Sequence, residues 1–220
     1  MSFTSTLSAE ELTGYVSRLV DTHLPDGRAA GYPLEPIIGE ALERTERCFS
    51  AIGRKYYSVD GAVRFDHLNG DHMAAFLYFV GNSAWRRHGD DVFPTKTFAL
   101  NKLLHGLDLY FAVRMPEVFL LVHPVGTVIG NADYGEDLVV YQNCTIGSDR
   151  GSYPRFGTGV ILYARTLVLG DCTIGDDVVF GANSFVLNSD VPSDSIVVGQ
   201  YPDTTVLPNP VPVASRMFGR

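Results

Sequence analysis

Little in this 220-residue chain suits it to a bilayer, an oxidising compartment or a polyanion. No stretch reaches the ~20 consecutive apolar residues that a membrane span requires. No charged segment followed by an apolar run opens the chain, so no secretory signal is expected. Cysteine is scarce: Cys48, Cys144 and Cys172 are odd in number and lack metal-like spacing. A reduced, cytoplasmic protein without disulfides is the resulting expectation. The formal net charge of −8 argues against a nucleic-acid surface, while leaving room for a local pocket that takes a phosphorylated cofactor. The length suits one large domain or two small ones.

What the chain does have is a period of six. Val168, Ile174 and Phe180 are each followed four residues later by a small or β-branched residue, Cys172, Val178 and Ser184. The phase runs forward to Val186 and Val198 and back through Leu162 to Phe156, and Gly157, Gly175, Gly181 and Gly199 follow four of these residues. Upstream the same period places Val122, Val128, Tyr134, Val140 and Ile146 inside, with Gly126, Ala132, Leu138 and Cys144 at the fifth place. The two phases are offset, and the polar, Gly- and Pro-containing stretch from Ser148 to Arg155 reads as the loop that absorbs the offset. Short repeats of this kind mark a parallel β-helix, with about 4 to 5 coils expected over Tyr110 to Val198. Each hexad supplies one short strand and a corner, and stacked coils form a stiff, quasi-one-dimensional scaffold.

The first half reads differently. Ser8-Ala-Glu-Glu11 is a capping-box pattern before a first helix reaching about Val20. Asp26-Gly27 reads as a turn, and apolar residues from Leu34 to about Ile52 recur at helical spacing. Asp60 to Asp71 is polar, Gly-punctuated and expected to be irregular. A third helix follows from His72 to Trp85, and Pro94 suits the first turn of a fourth. The expected fold class is therefore α+β, an all-α region at 1–107 ahead of a β-helix at 108–202, with a C-terminal tail at 203–220.

Chemistry is expected where a titratable side chain interrupts the scaffold. His123 is the only one of the six histidines beyond residue 105. One imidazole cannot supply the three that a zinc-hydroxide site on such a scaffold would draw from neighbouring coils and subunits, so no metal is expected. On residue chemistry alone, a general base and a structural histidine are equally good readings of His123.

The aliphatic-Gly-x-x-small-x repeat resembles that of the hexapeptide acyltransferases, which implies a left-handed β-helix. The stretch Asp108 to Pro202 is similar, more narrowly, to the catalytic half of serine O-acetyltransferases. The family's catalytic His-x-x-Gly-x-Val-x-Gly stands here as His123-Pro-Val-Gly126-Thr-Val128-Ile-Gly130, and its Gln before a Thr-x-Gly corner as Gln142. Its aspartate fifteen residues before the histidine stands as Asp108, and its closing Val-Gly-x-x-Pro as Val198-Gly199-Gln-Tyr-Pro202. The resemblance implies acetyl-CoA as co-substrate, His123 as base and Asp108 as its orienter. Without the resemblance, Asp108 reads nearly as well as a cap or turn aspartate. The resemblance also implies a homotrimer with acetyl-CoA in the groove between subunits, contacting Gln142, Tyr163, Ala164, Gly181, Ala182 and Asn183. These last positions read equally as outward-facing coil residues. Many relatives pair two trimers through the helical region; for this chain that choice is open.

Three departures concern the acceptor and the partner. The family's Arg-His-Pro loop is Ser152-Tyr153-Pro154 here, with Arg150 and Arg155 alongside, and its aspartate before the catalytic histidine is Val122. Asp66, His67, Asp71, Arg150 and Tyr153 are the candidate acceptor contacts, although Phe65 to His72 reads equally as an Asx-rich turn capping a helix. The C-terminal Ser-Arg-Met-Phe-Gly-Arg lacks the terminal isoleucine that typical members insert into the cysteine-synthesising enzyme, so that complex is not expected. The expected function is acetylation of the hydroxyl of L-serine or a related hydroxy amino acid. A sugar acetyltransferase is the alternative, and a non-catalytic trimeric scaffold a weaker one.

Overall fold

The computed structural model describes residues 2–219. It forms two compact units, one comprising the chain up to Ser50 with Lys55–Ala112, the other Ala51–Arg54 with the chain from Val113 onward. The sequence put the boundary at 107/108; the units divide after Ala112. The intervening residues pack into the first unit, where Asn82 Nδ2 donates to the Phe111 carbonyl at 2.7 Å and the Tyr110 ring lies 5.3 Å from that of Phe98.

In the first unit the elements run β1 (Phe3–Ser5), α1 (Ala9–His23), α2 (Glu35–Ser50), β2 (Ser58–Val59), β3 (Ala62–Phe65), α3 (Gly70–His88), α4 (Val92–His105) and β4 (Asp108–Leu109). The capping box forms at the head of α1: the Glu11 amide donates to Ser8 Oγ (3.2 Å), and the Ser8 amide to Glu11 Oε2 (2.8 Å). Leu12, Val16 and Val20 make the buried stripe of α1, and α3 is buried without a break from His72 to Ala84. A helix apolar on all sides has to sit inside its unit. The expectation of an all-α region needs one correction, because β1, β3 and β2 form a small sheet in that order. Asp60 and Gly61, both at positive φ (51° and 78°), join β2 to β3 as a two-residue hairpin. The Asp-Gly pair favours such a turn because both central residues need positive φ. The alternation of Val63 and Phe65, both buried, with Arg64 supplies the strand.

The second unit is a parallel solenoid of five turns. Its strands are β5 (Phe119–Val122), β6 (Val128–Ile129), β7 (Asp133–Tyr134), β8 (Leu138–Tyr141), β9 (Thr145–Gly147), β10 (Arg155–Phe156), β11 (Val160–Leu162), β12 (Leu167–Leu169), β13 (Thr173–Ile174), β14 (Val178–Phe180), β15 (Phe185–Leu187) and β16 (Ser195–Val198). They stack on three faces: β5-β8-β11-β14-β16, β6-β9-β12-β15 and β7-β10-β13. Helices followed by a left-handed parallel β-helix, the expected fold class, is the one observed. Val140, Ile146, Leu162, Val168, Ile174, Phe180 and Val186 are all buried, as the repeat requires.

Three inward assignments are corrected by the register. Leu121, not Val122, aligns with Val140 and Leu162; Ile129, not Val128, aligns with Ile146; and Val197, not Val198, aligns with Phe180. Val128 is 39% exposed and Val198 37%, while Ile129 and Val197 are buried. The cause at the first two is a longer corner. Between the register-matched residues Tyr141 and Asn143 stands Gln142 alone, whereas Val122 and Gly126 are separated by His123, Pro124 and Val125.

The 203–220 stretch, expected as a tail, is structured over its described part. β17 (Thr205–Pro208) pairs antiparallel with β16, and a π-helical turn at Ala214–Phe218 buries Met217 and Phe218. Asp177 ties this segment down, its Oδ1 accepting from the Val213 amide at 2.8 Å.

Candidate active site

The site grows out of one corner of the solenoid. At successive coils, Gly126, Asn143, Arg165 and Asn183 occupy the left-handed region, with φ of 73°, 58°, 65° and 62°. Each of the last three donates its amide to the coil before it: Asn143 to Val125 O (3.0 Å), Arg165 to Gln142 O (3.0 Å) and Asn183 to Ala164 O (2.9 Å). Gly126 is needed for space as well as for φ, since a Cβ there would lie 2.5 Å from Asn143 Oδ1. The residue after each is small and buried, and it donates across to the next coil. Thr127 Oγ1 reaches Tyr141 O (2.9 Å), Cys144 Sγ reaches Tyr163 O (3.1 Å), Thr166 Oγ1 reaches Gly181 O (3.3 Å) and Ser184 Oγ reaches Val197 O (3.0 Å). Three of these carbonyls also accept backbone amides, Tyr163 O from Thr166, Gly181 O from Ser184 and Val197 O from Gly181, so the ladder adds a second bond at each. Cys144 and Cys172 are therefore corner residues, and burial pushes both thiols above the ordinary cysteine range, away from the nucleophilic form.

His123 stands where this ladder is interrupted. The two additional residues of its corner form a tight bulge, closed by the Val125 amide on the His123 carbonyl at 2.6 Å and the Thr127 amide on the Pro124 carbonyl at 3.1 Å. His123 itself takes φ 49° and is exposed, while Pro124 is buried and roots the bulge. A bulge re-aims a side chain that a regular coil would align with its neighbours. The next coils carry Gln142, Ala164 and Ala182 at the matching place. Gln142 Oε1 is buried and has no hydrogen-bond partner among the described residues. Beside this column runs another, Val122, Tyr141, Tyr163 and Gly181, each following an inward-facing residue and so facing outward. The Tyr141 and Tyr163 rings lie 4.9 Å apart.

The structure thus gathers His123, Gln142, Tyr163, Ala164, Gly181, Ala182 and Asn183 at one corner. Arg150 and Tyr153 lie elsewhere on the solenoid, on the excursion between β9 and β10, where Asp149 and Ser152 pair and the Tyr153 ring packs over Gly130. Asp108, Asp66, His67 and Asp71 belong to the first unit. There Asp108 accepts from Lys102 Nζ (2.7 Å), and Asp66 takes the Arg64 guanidinium (2.9 Å) and the Leu68 amide (3.0 Å). His67 Nδ1 meets Thr6 Oγ1 at 2.7 Å, and Asp71 opens α3 behind its cap Asn69. Sequence reasoning passed over Tyr141. No sequence signal marked it, because the period of six pairs it with His123, whereas the register pairs it with Val122.

No family model matches the chain. Curated relatives do: the serine acetyltransferase of Synechococcus elongatus is 35% identical over 113 residues, 49% of this chain and 46% of the relative. That of Staphylococcus xylosus is 34% identical over 121 residues, 50% of this chain and 56% of the relative. The chain spans about half the length of these relatives. Among solved structures, serine acetyltransferase from Neisseria gonorrhoeae superposes with a TM-score of 0.68 at 21% identity, over 93% of this chain and 82% of that one. The Vibrio cholerae enzyme gives 0.66 at 22% identity, over 91% and 81%. The chain is similar in sequence to serine acetyltransferases and shares the fold of their solved structures.

Proposed function

We propose that the chain is an acetyl-CoA-dependent O-acetyltransferase whose acceptor is L-serine or a related small hydroxy amino acid. The observation that carries this reading is the two-residue bulge that lifts His123 out of a corner otherwise made of Gln142, Ala164 and Ala182. A general base must be within reach of its substrate, and His123 is exposed on this bulge. An alcohol must lose a proton as it attacks a thioester at neutral pH, and an imidazole nitrogen can take that proton. The imidazolium formed can then protonate the departing CoA thiolate. The oxyanion of the tetrahedral intermediate needs fixed donors, which backbone amides of the corner can provide. Neither the buried thiol of Cys144 nor that of Cys172 has a part in this route. Similarity to serine acetyltransferases supports serine as acceptor. The orienting role of Asp108, the trimer and an intersubunit acetyl-CoA groove rest on the same similarity.

The test is an acceptor panel assayed by release of CoA thiol from acetyl-CoA. Serine or a close analogue is expected to give turnover well above background hydrolysis. Turnover with a sugar alone would replace the amino-acid acceptor by a carbohydrate, and no thiol release with any alcohol would remove the activity.

A further inference from the structure

At the His123 corner, Gln142 leaves a hydrogen bond unmade. Its side chain is half-buried, and its Oε1, at the buried end, has no donor among the described residues. The side chains of the adjoining ladder, Thr127, Cys144, Thr166 and Ser184, all reach carbonyl partners. A buried carbonyl oxygen without a donor is costly, and each one in a fold calls for a reason.

Turning the corner is not that reason. Gln142 is the single residue between Tyr141, the register partner of Val122, and Asn143, whose amide donates to Val125 O at 3.0 Å. On the next two coils its place is taken by Ala164 and Ala182, and the same inter-coil bonds form there, from the Arg165 amide to Gln142 O at 3.0 Å and from the Asn183 amide to Ala164 O at 2.9 Å. A methyl group therefore suffices at this place, and a carboxamide is surplus to the fold. The residues that these contacts bracket on the coil before Gln142 are His123, Pro124 and Val125. The unsatisfied oxygen thus belongs to the coil stacked directly on the base.

A substrate reacting at His123 can span that step. Neighbouring strands lie ~4.8 Å apart, so a group a few bonds from the reacting atom reaches from one coil to the next. Two N–H donors of the proposed reaction stand at that remove. In a hydroxy amino acid such as serine the ammonium sits on the carbon next to the hydroxymethyl group, and in acetyl-CoA the nearest amide N–H is two carbons from the sulfur. The adjoining outward column, Val122, Tyr141, Tyr163 and Gly181, holds no carboxylate that could take either donor instead.

We propose that the Gln142 carboxamide is a specificity-determining group, its oxygen accepting a hydrogen bond from a substrate N–H held against His123. The open acceptor is read from the fold alone; the acetyltransferase reading enters only in naming which substrate brings the N–H.

Gln142→Met keeps the length of the side chain and removes its polar end. The unliganded variant should melt about 2–4 °C above the wild type, the shift expected at this chain length when one unsatisfied buried group is removed. In calorimetric titration the same variant should bind its substrate more weakly, by about tenfold or more for an ammonium, the usual worth of a hydrogen bond to a charged group, and by less for an amide. A loss for L-serine with 3-hydroxypropionate, which has no amine, unchanged identifies the ammonium; a loss for CoA with serine unchanged identifies the amide. Gln142→Glu retains an oxygen acceptor and should keep most of the affinity. A loss there as large as in Gln142→Met assigns the contact to the amide nitrogen and overturns the acceptor role. A melting midpoint of Gln142→Met at or below the wild type, or wild-type affinity of that variant for both serine and CoA, overturns the proposal as well. If the wild-type chain binds neither serine nor CoA, the acetyltransferase reading fails on its own, and the melts then decide whether the oxygen stands open. Circular dichroism checks the fold of each variant, and Gln142→Leu takes the place of Gln142→Met if the latter does not fold.

Discussion

At the scale of single residues, function turns on where a corner is lengthened. The coils above His123 turn through one residue each, Gln142, Ala164 and Ala182, and a histidine in their place would lie in line with its neighbours. Two extra residues, a buried proline and a left-handed backbone at the histidine set it on a corner of its own, exposed to solvent. His123→Ala should therefore lower turnover by at least about a hundredfold, the usual worth of a general base, with the far-UV spectrum unchanged. Asp108→Asn should lower turnover by a smaller factor while leaving acetyl-CoA affinity as it was. Wild-type turnover in both variants, measured on an acceptor that supports activity, would dismiss this mechanism.

At the scale of elements, α3 carries an acid sensitivity of its own. His72 is fully buried among Phe49, Tyr57 and Phe65, and its Nδ1 accepts the Asp66 amide at 3.1 Å. Burial depresses its pKa to about 4, against the raising effect of Asp66 and with a further lowering from Arg64. His105, on α4, is shifted in the same direction by burial. A histidine whose folded pKa is depressed destabilises the fold as pH falls, because the unfolded chain takes up a proton that the folded chain refuses. The loss begins near the unfolded value of 6.5 and is complete near 4. Thermal melts at pH 7 and pH 5 should show the wild-type midpoint falling, and His72→Gln should show a smaller fall between the same two pH values. An equal fall in both would place the sensitivity elsewhere. The hairpin ahead of α3 also shows how local signals compete: the Asp60-Gly61 turn signal is strong, yet the polar residues around it read as loop.

At the scale of the whole molecule, the proposal that acetyl-CoA lies between subunits sets an expectation for the assembly. A β-helix buries its core by stacking its own coils, so its outer faces are available to other copies. A groove for acetyl-CoA between subunits calls for cyclic symmetry, and we propose a trimer as that assembly. Sedimentation equilibrium at micromolar concentration should return a mass three times that of the chain, or six times if trimers pair. A mass equal to one chain would remove the groove.

The sequence by itself determined the class of the fold and the identity of the candidate base. A period of six can be satisfied only by short strands and repeated corners, and a lone histidine in that region leaves one candidate. The helix starts at Ser8 and ahead of α3 were legible for the same local reason, since caps and turns depend on neighbours in sequence. Only the tertiary structure decided which residue of a pair faces inward. Leu121 and Val122, Val128 and Ile129, and Val197 and Val198 are alike in chemistry, and the choice is made by hydrogen-bond register with the next coil. That register turned an apparently regular repeat at His123 into a bulge and set Tyr141 beside Val122. The tertiary structure likewise carried Arg54 onto the solenoid, a contact between residues 54 and 217 that no local pattern encodes. Periodicity is a property of neighbouring residues; the pairing of distant ones is set by packing.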